Sequence, residues 1–145
     1  MENLLRFHIH LLHPKLVHFP IALFLSAMGL DVLSLIFKKE NLHMTPLHIY
    51  ILATLVAPFV LLTGLQDAEH IHLNHPILTI HMRFALLTMW SSLLSLPILW
   101  FVNQRSRKVY RIIFLMVTLL IATFVTITGH NGGRMVFEYG VGIEE

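Results

Sequence analysis

The chain has 145 residues, of which 56% are hydrophobic and 12% are charged, and its formal net charge is +2. A soluble domain is usually about half apolar and about a quarter charged, so this composition indicates a membrane protein. The small, scattered positive charge gives no sign of nucleic-acid binding. The absence of cysteine excludes disulfides, thiolate metal sites and covalently attached c-type haem, while 11 histidines are present.

Four apolar stretches predict transmembrane helices near residues 16–37, 47–66, 77–102 and 110–128. Each has roughly the 20 helical residues that cross a bilayer. The loops between them are short, which predicts an all-α, integral membrane, up-and-down four-helix bundle. We expect residues 1–145 to form this single transmembrane domain. A soluble four-helix core is the alternative, but these helices show no polar face.

Basic residues in the short loops predict the orientation. They fall in or beside the first and third loops: Lys38, Lys39, Arg105, Arg107, Lys108 and Arg111. By the positive-inside rule these loops face the cytoplasm, so both termini and the second loop are expected in the periplasm. All histidines except His43 and His48 then lie toward the periplasmic face. We therefore expect a multi-pass protein of a bacterial or archaeal cytoplasmic (inner) membrane.

The sequence contains an apparent internal duplication. "HIHLLHP" at 8–14 and "HIHLNHP" at 70–76 agree at six of seven positions. "APFVLLTG", ending at Gly64, likewise resembles "ATFVTITG", ending at Gly129, so the offset grows from 62 to 65 residues along the chain. This pattern favours two pseudo-symmetric helical hairpins in parallel, related by an axis along the membrane normal. Chance similarity in a chain rich in Leu and His is the alternative.

The duplication places His18 and His81 at equivalent depths in spans one and three. Because these spans lie diagonally in such a bundle, we expect the two imidazoles to face each other in its interior. Two facing imidazoles in a membrane favour one b-type haem with bis-histidine ligation, and a second haem is an alternative. Gly64 and Gly129 would let the flat macrocycle approach the backbone. Alternatively, each histidine is an interfacial residue bonded to backbone or water.

Other polar residues surround the expected haem site. Arg83 and Arg134 could pair with haem propionates. Asp67 and His130 could accept protons from quinol oxidation, since histidine titrates near neutral pH. His130, without a symmetric counterpart, is also a candidate ligand or supporting residue.

The one acid inside a span, Asp31, is a second functional candidate, because a charge within a bilayer is costly. It is expected to face the bundle and to be either protonated or paired. Candidate partners on neighbouring spans are His48, Ser92 and Ser95. Under a transport hypothesis, Asp31 would lie on the path of the ion.

The outer histidines favour a metal role as an alternative. "HIH" on an extended segment points both rings to one side. With His13 or His75, each copy could bind zinc, copper or nickel, surround a second haem or relay protons. Pro14 and Pro76 predict helix starts, so His13 and His75 are expected as caps outside the bilayer.

The C-terminal segment is expected to leave the membrane at a glycine pair. Gly132 and Gly133 predict the end of span four. The aromatic residues Phe137 and Tyr139 suit the membrane–water interface, so the tail is expected to fold back over the periplasmic mouth as a lid. A flexible tail is the alternative.

Several motifs together resemble the DUF2231 family of small, predicted four-span membrane proteins of bacteria and archaea. They are "HPKLVHFPIAL", an intramembrane Asp, "TGLQDA" and "TGHNGGRMVFEYGVGI", and they cover nearly the whole chain. The resemblance implies the four-span architecture and, with the histidine geometry, an expectation of haem binding. It marks His13, His18, Asp31, Gly64, Asp67, His81, Gly132, Gly133, Gly140 and Gly142.

Three functions are compatible with these observations. The favoured one is a cytochrome b-like electron-transfer protein or subunit of an oxidoreductase complex, exchanging electrons between quinol and a periplasmic or membrane partner. The second is a histidine-rich membrane protein that transports or senses metal. The third is a structural subunit of a larger membrane complex without a cofactor. No nucleophile–base motif or phosphate-binding loop indicates an enzyme of a soluble type.

Overall fold

A computed structural model describes residues 12–38, 44–68 and 76–141. Within these ranges the chain forms five helices: α1 (Leu12–Leu16), α2 (His18–Ile36), α3 (Met44–Ala68), α4 (Pro76–Arg105) and α5 (Arg107–Phe137). α1 and α2 together, and each of the other three helices, are long and apolar enough to cross a membrane. These ranges contain no strand. The prediction of an all-α four-helix membrane bundle is therefore confirmed.

The long helices pack in a ring that follows the chain order. α2 contacts α3 and α5, and α4 contacts the same two helices, so α2 and α4 lie diagonally across the bundle. Each connection reverses the chain direction, which gives an up-and-down topology. The starts of α1 and α4 and the ends of α3 and α5 therefore meet at one end of the bundle. We call it the cavity end and call the opposite end the far end.

α5 is longer than hydropathy predicts. It continues through Gly132 and Gly133 to Phe137, although this glycine pair predicts a stop. Asn131 and Met135, in the same segment, are buried against the rest of the bundle. Tertiary packing therefore stabilises the last turns of α5 in spite of the low helix propensity of glycine.

The two hairpins share a burial pattern that repeats with an offset of 68 residues. Buried positions of α2 match buried positions of α4: Pro20 with Thr88, Phe24 with Ser92, Ala27 with Ser95 and Asp31 with Leu99. The same offset relates α3 to α5: Pro46 with Phe114, Tyr50 with Thr118, Ala53 with Ile121 and Ala57 with Val125. The buried faces therefore repeat as expected for two parallel hairpins. Their offset differs from the 62 to 65 residues that the sequence similarity predicts.

Aromatic rings fill the centre of the bundle toward the far end. Tyr50 lies between Phe24 and Phe114, with ring centroids 5.6 Å and 5.7 Å away in edge-to-face arrangements. Large apolar side chains also cover the outer surface; Phe59 and Trp100 are 69% and 71% exposed. Helices that are apolar on all sides are typical of membrane spans.

Candidate functional site

A cavity of about 1050 Å³ occupies the cavity end of the bundle, and all five helices contribute to its wall. Its lining includes the buried residues Phe24, Thr88 and Val125 and the partly buried residues Asp67 and Tyr139. Most of the lining residues are aliphatic, aromatic or glycine. Ligand pockets usually measure about 300–1,000 Å³, so this cavity has room for a large and mainly apolar ligand.

Two histidines face each other across this cavity. His13 comes from α1 and His81 from α4, and both side chains are partly buried. Their ring centroids are 6.5 Å apart and their planes are nearly perpendicular, at 88°. The two residues are related by the same offset of 68 that relates the buried faces of the hairpins. The structure therefore forms a pseudo-symmetric pair of imidazoles from opposite hairpins.

Both imidazoles are held through Nδ1. His13 Nδ1 lies 3.1 Å from the carbonyl oxygen of Val60 and 3.1 Å from Thr63 Oγ1. His81 Nδ1 lies 2.9 Å from the carbonyl oxygen of Thr128. Because a carbonyl oxygen can only accept, we assign the ring proton to Nδ1, which leaves Nε2 with a lone pair. Metal-binding histidines usually donate their second ring N–H in this way.

A glycine lies against each of these rings. A Cβ atom added at Gly64 would lie 2.6 Å from His13 Cε1, and one added at Gly132 would lie 3.1 Å from His81 Cε1. Only the absence of a side chain lets the imidazoles pack so closely on α3 and α5. Gly129, which the sequence pairs with Gly64, lines the cavity, but an added Cβ there would contact neither imidazole.

The pairing of His18 with His81 that the sequence predicts differs from the observed one. His18 is exposed, its Nδ1 lies 2.7 Å from the carbonyl oxygen of Pro14, and it contributes to the cavity wall without facing His81. With an offset of 68, the equivalent of His18 is Leu86. The sequence similarity around His18 and His81 does not follow the 68-residue repeat of the buried faces. These two histidines therefore do not occupy equivalent positions in the two hairpins.

Several predicted residues lie away from the cavity. Arg83 and His130 are exposed and do not line it. Arg134 donates to Glu138, with Nη2 2.8 Å from Oε2 in an exposed pair. The hydrogen bond from Arg134 lowers the pKa of the Glu138 carboxyl below its ordinary value. Among the described residues no arginine or lysine lines the cavity, whereas the predicted Asp67 does.

After the end of α5 the chain turns back and lines part of the cavity. Gly140 has a φ of +66°, a left-handed conformation that favours glycine. The N–H of Gly140 donates to Val136 at 3.1 Å, and the N–H of Val141 donates to Met135 at 3.0 Å. Tyr139 and Val141 consequently line the cavity, in agreement with the expected lid.

The histidine pair lacks the further ligands that a simple metal site needs. In residues 12–38, 44–68 and 76–141, no group of three or more His, Asp or Glu side chains is arranged to hold a metal ion. The predicted outer sites at the two HIH pairs and His75 lie outside these residues. A zinc site needs about four ligands, whereas a haem supplies four of its own and takes axial histidines.

Comparison with known proteins gives a family but no characterised relative. No curated protein and no solved structure matches the chain. The model of one family, described as a predicted membrane protein (DUF2231), matches residues 9–145. Because this match covers nearly the whole chain, the protein belongs to the DUF2231 family of predicted membrane proteins.

Proposed function

We propose that the cavity binds one b-type haem, with Nε2 of His13 and of His81 as its axial ligands. The observation that carries this proposal is the opposed pair of imidazoles, each anchored through Nδ1 to the backbone of its own hairpin. The protein would then act as a membrane cytochrome b-like electron carrier, because an iron held in this way supplies reversible one-electron chemistry.

The spacing of the rings supports axial ligation. With bonds of about 2.0–2.1 Å from the metal to each nitrogen, and about half an imidazole behind each nitrogen, the ring centres of two axial histidines lie roughly 6 Å apart. The observed separation between His13 and His81 is 6.5 Å. This separation is therefore close to the one that axial ligation would require.

The size and the lining of the cavity support a large apolar ligand beside the two rings. Its volume of about 1050 Å³ is at the upper end of the usual range for ligand sites, and its walls are mostly apolar. Bundle cores that hold cofactors place their ligands on facing helices in this manner. The family match leaves the cofactor open, so this chemistry rests on the geometry of the chain itself.

The same proposal includes a direction and electron partners. Lys38, Arg105 and Arg107 lie at the far end of the bundle, which by the positive-inside rule supports an orientation with that end in the cytoplasm. We propose this orientation in a bacterial or archaeal inner membrane. The haem would then lie near the periplasmic face. There it would exchange electrons with quinol in the bilayer and with a periplasmic or membrane redox subunit.

The absorption spectrum of the protein purified from membranes tests this function. We expect a Soret band and, after reduction, a sharp α-band, with one haem per chain. The reason is that one pair of axial imidazoles lines the cavity among the described residues. A colourless protein that takes up no added haemin, yet remains folded, would contradict the proposal. Stoichiometric zinc or copper in such a protein would favour metal binding instead.

A further inference from the structure

A second ionisable site lies at the far end of the bundle. Asp31 is only 1% exposed and lies near the C-terminal end of a helix that is long and apolar enough to span a membrane. The charged residue that acts on it is Arg111 of α5, and Tyr110 lies within range of its charge. Of the partners that the sequence suggests, His48 lies elsewhere: its side chain is exposed, with its Nδ1 2.7 Å from the carbonyl oxygen of Met44. α5 therefore supplies both the cation and the phenol near Asp31.

The internal repeat indicates that packing alone does not require an acid here. The equivalent of Asp31 in the second hairpin is Leu99, which is 2% exposed and equally buried. Likewise Ser34, whose hydroxyl donates to the Asp31 carbonyl, corresponds to the apolar Val102. The equivalent position in the second hairpin is thus filled by leucine. An ionisable group that is costly in a membrane, and that packing does not need, is a functional candidate.

Buried hydroxyl groups lie between this site and the cavity. Thr88 lines the cavity, and Ser92 and Ser95 follow it at successive turns along the same face of α4. The Tyr50 hydroxyl of α3 lies 2.7 Å from Ser95 Oγ, which joins the two helices. In the first hairpin the equivalents of Thr88, Ser92 and Ser95 carry no hydroxyl. The hydroxyl column on α4 therefore leads from the cavity toward the far end.

We propose that Asp31 is a buried proton-exchange site that is connected to the cavity by this hydroxyl column. A proton that binds the Asp31 carboxylate forms the neutral acid, and its departure restores the carboxylate; no other bond changes. The charged and titratable groups that act on Asp31 are Arg111 and Tyr110, both from α5. The inference goes beyond haem binding and does not depend on it.

Dicyclohexylcarbodiimide tests the site directly, because it reacts with protonated carboxyl groups in apolar surroundings and rearranges to a stable N-acylurea. We expect mass spectrometry of treated membranes to find the adduct on Asp31, in amounts that rise as the pH falls. Asp31→Asn should abolish it. Arg111→Leu should increase it severalfold, because the cation that favours the carboxylate is lost. An unlabelled Asp31 throughout the pH range in which the protein stays folded would overturn the proposal.

Vesicles of known sidedness test the connection to the cavity. If the hydroxyl column carries the proton, the labelling of Asp31 should follow the pH on the side to which the cavity opens. Labelling that follows the pH of the opposite side would refute this connection.

The double variant Asp31→Leu with Arg111→Leu distinguishes a proton-exchange role for Asp31 from a role in folding. Since Leu99 fills the equivalent place, this variant should fold while losing the adduct. Failure of the double variant to fold would show that the pair is needed for structure and would overturn the inference.

Discussion

Replacing either His13 or His81 with alanine is expected to abolish stable haem binding. Each residue supplies one imidazole of the pair whose ring centroids lie 6.5 Å apart, so either change removes one of the two proposed ligands. Loss of a hydrogen bond that supports a metal ligand typically costs about 10–100-fold in affinity, and loss of the ligand itself should cost more. The measurement is the haem content of each purified variant.

His18→Ala is the matched control. His18 follows His13 by five residues and lines the same cavity, but its Nδ1 is bonded to the carbonyl oxygen of Pro14 in α1. We expect it to retain haem at the wild-type level. Equal losses in all three variants would mean that the pair of His13 and His81 does not form the site. Retention in His81→Ala together with loss in His18→Ala would favour a different ligand pair.

Adding one methyl group at Gly64 is expected to displace His13. The new Cβ would lie 2.6 Å from the ring, a separation that a real structure does not tolerate, so the imidazole has to move out of its position. The added group is small, and alanine favours a helix more than glycine does by about 1 kcal/mol. We therefore expect Gly64→Ala to fold at least as well as the wild type while binding haem about tenfold or more weakly.

The glycines of α5 provide a graded series for this prediction. At Gly132 the new Cβ would lie 3.1 Å from the His81 ring, so we expect a smaller loss of affinity. At Gly133 nothing lies within 4 Å of the new atom, and Gly133→Ala should bind haem normally. Haem titration of the three variants, with thermal unfolding as the check on folding, gives the order. Normal binding by Gly64→Ala would contradict the position assigned to His13.

Much of the fold could be predicted from the sequence because hydropathy determines it directly. Four long apolar stretches separated by short loops leave few arrangements other than an up-and-down bundle. Residues at helix ends were less predictable. Pro14 predicts a helix start at itself, but a proline is tolerated throughout the first turn, and α1 begins at Leu12. His13 consequently lies within the first turn of α1.

The site could be predicted only in outline. Two facing histidines from opposite hairpins were foreseeable, and His81 is one of the observed pair. The register between the two hairpins was not foreseeable. The HIH heptapeptides match at an offset of 62 residues, whereas the buried faces repeat at an offset of 68. A usable signal was present: Gly64 follows His13 by 51 residues, and Gly132 follows His81 by the same 51. The same histidine-to-glycine spacing in both hairpins indicates a contact between helices that repeats. Sequence similarity by itself does not indicate such a contact.

The measurement that tests the central claim most directly is the electron paramagnetic resonance spectrum of the oxidised protein. Axial ligation by His13 and His81 predicts low-spin ferric iron. Because the two imidazole planes are at 88°, the signal should have the large anisotropy of perpendicular axial ligands. A high-spin signal in the wild type would mean that at least one of these histidines does not bind the iron and would contradict the account.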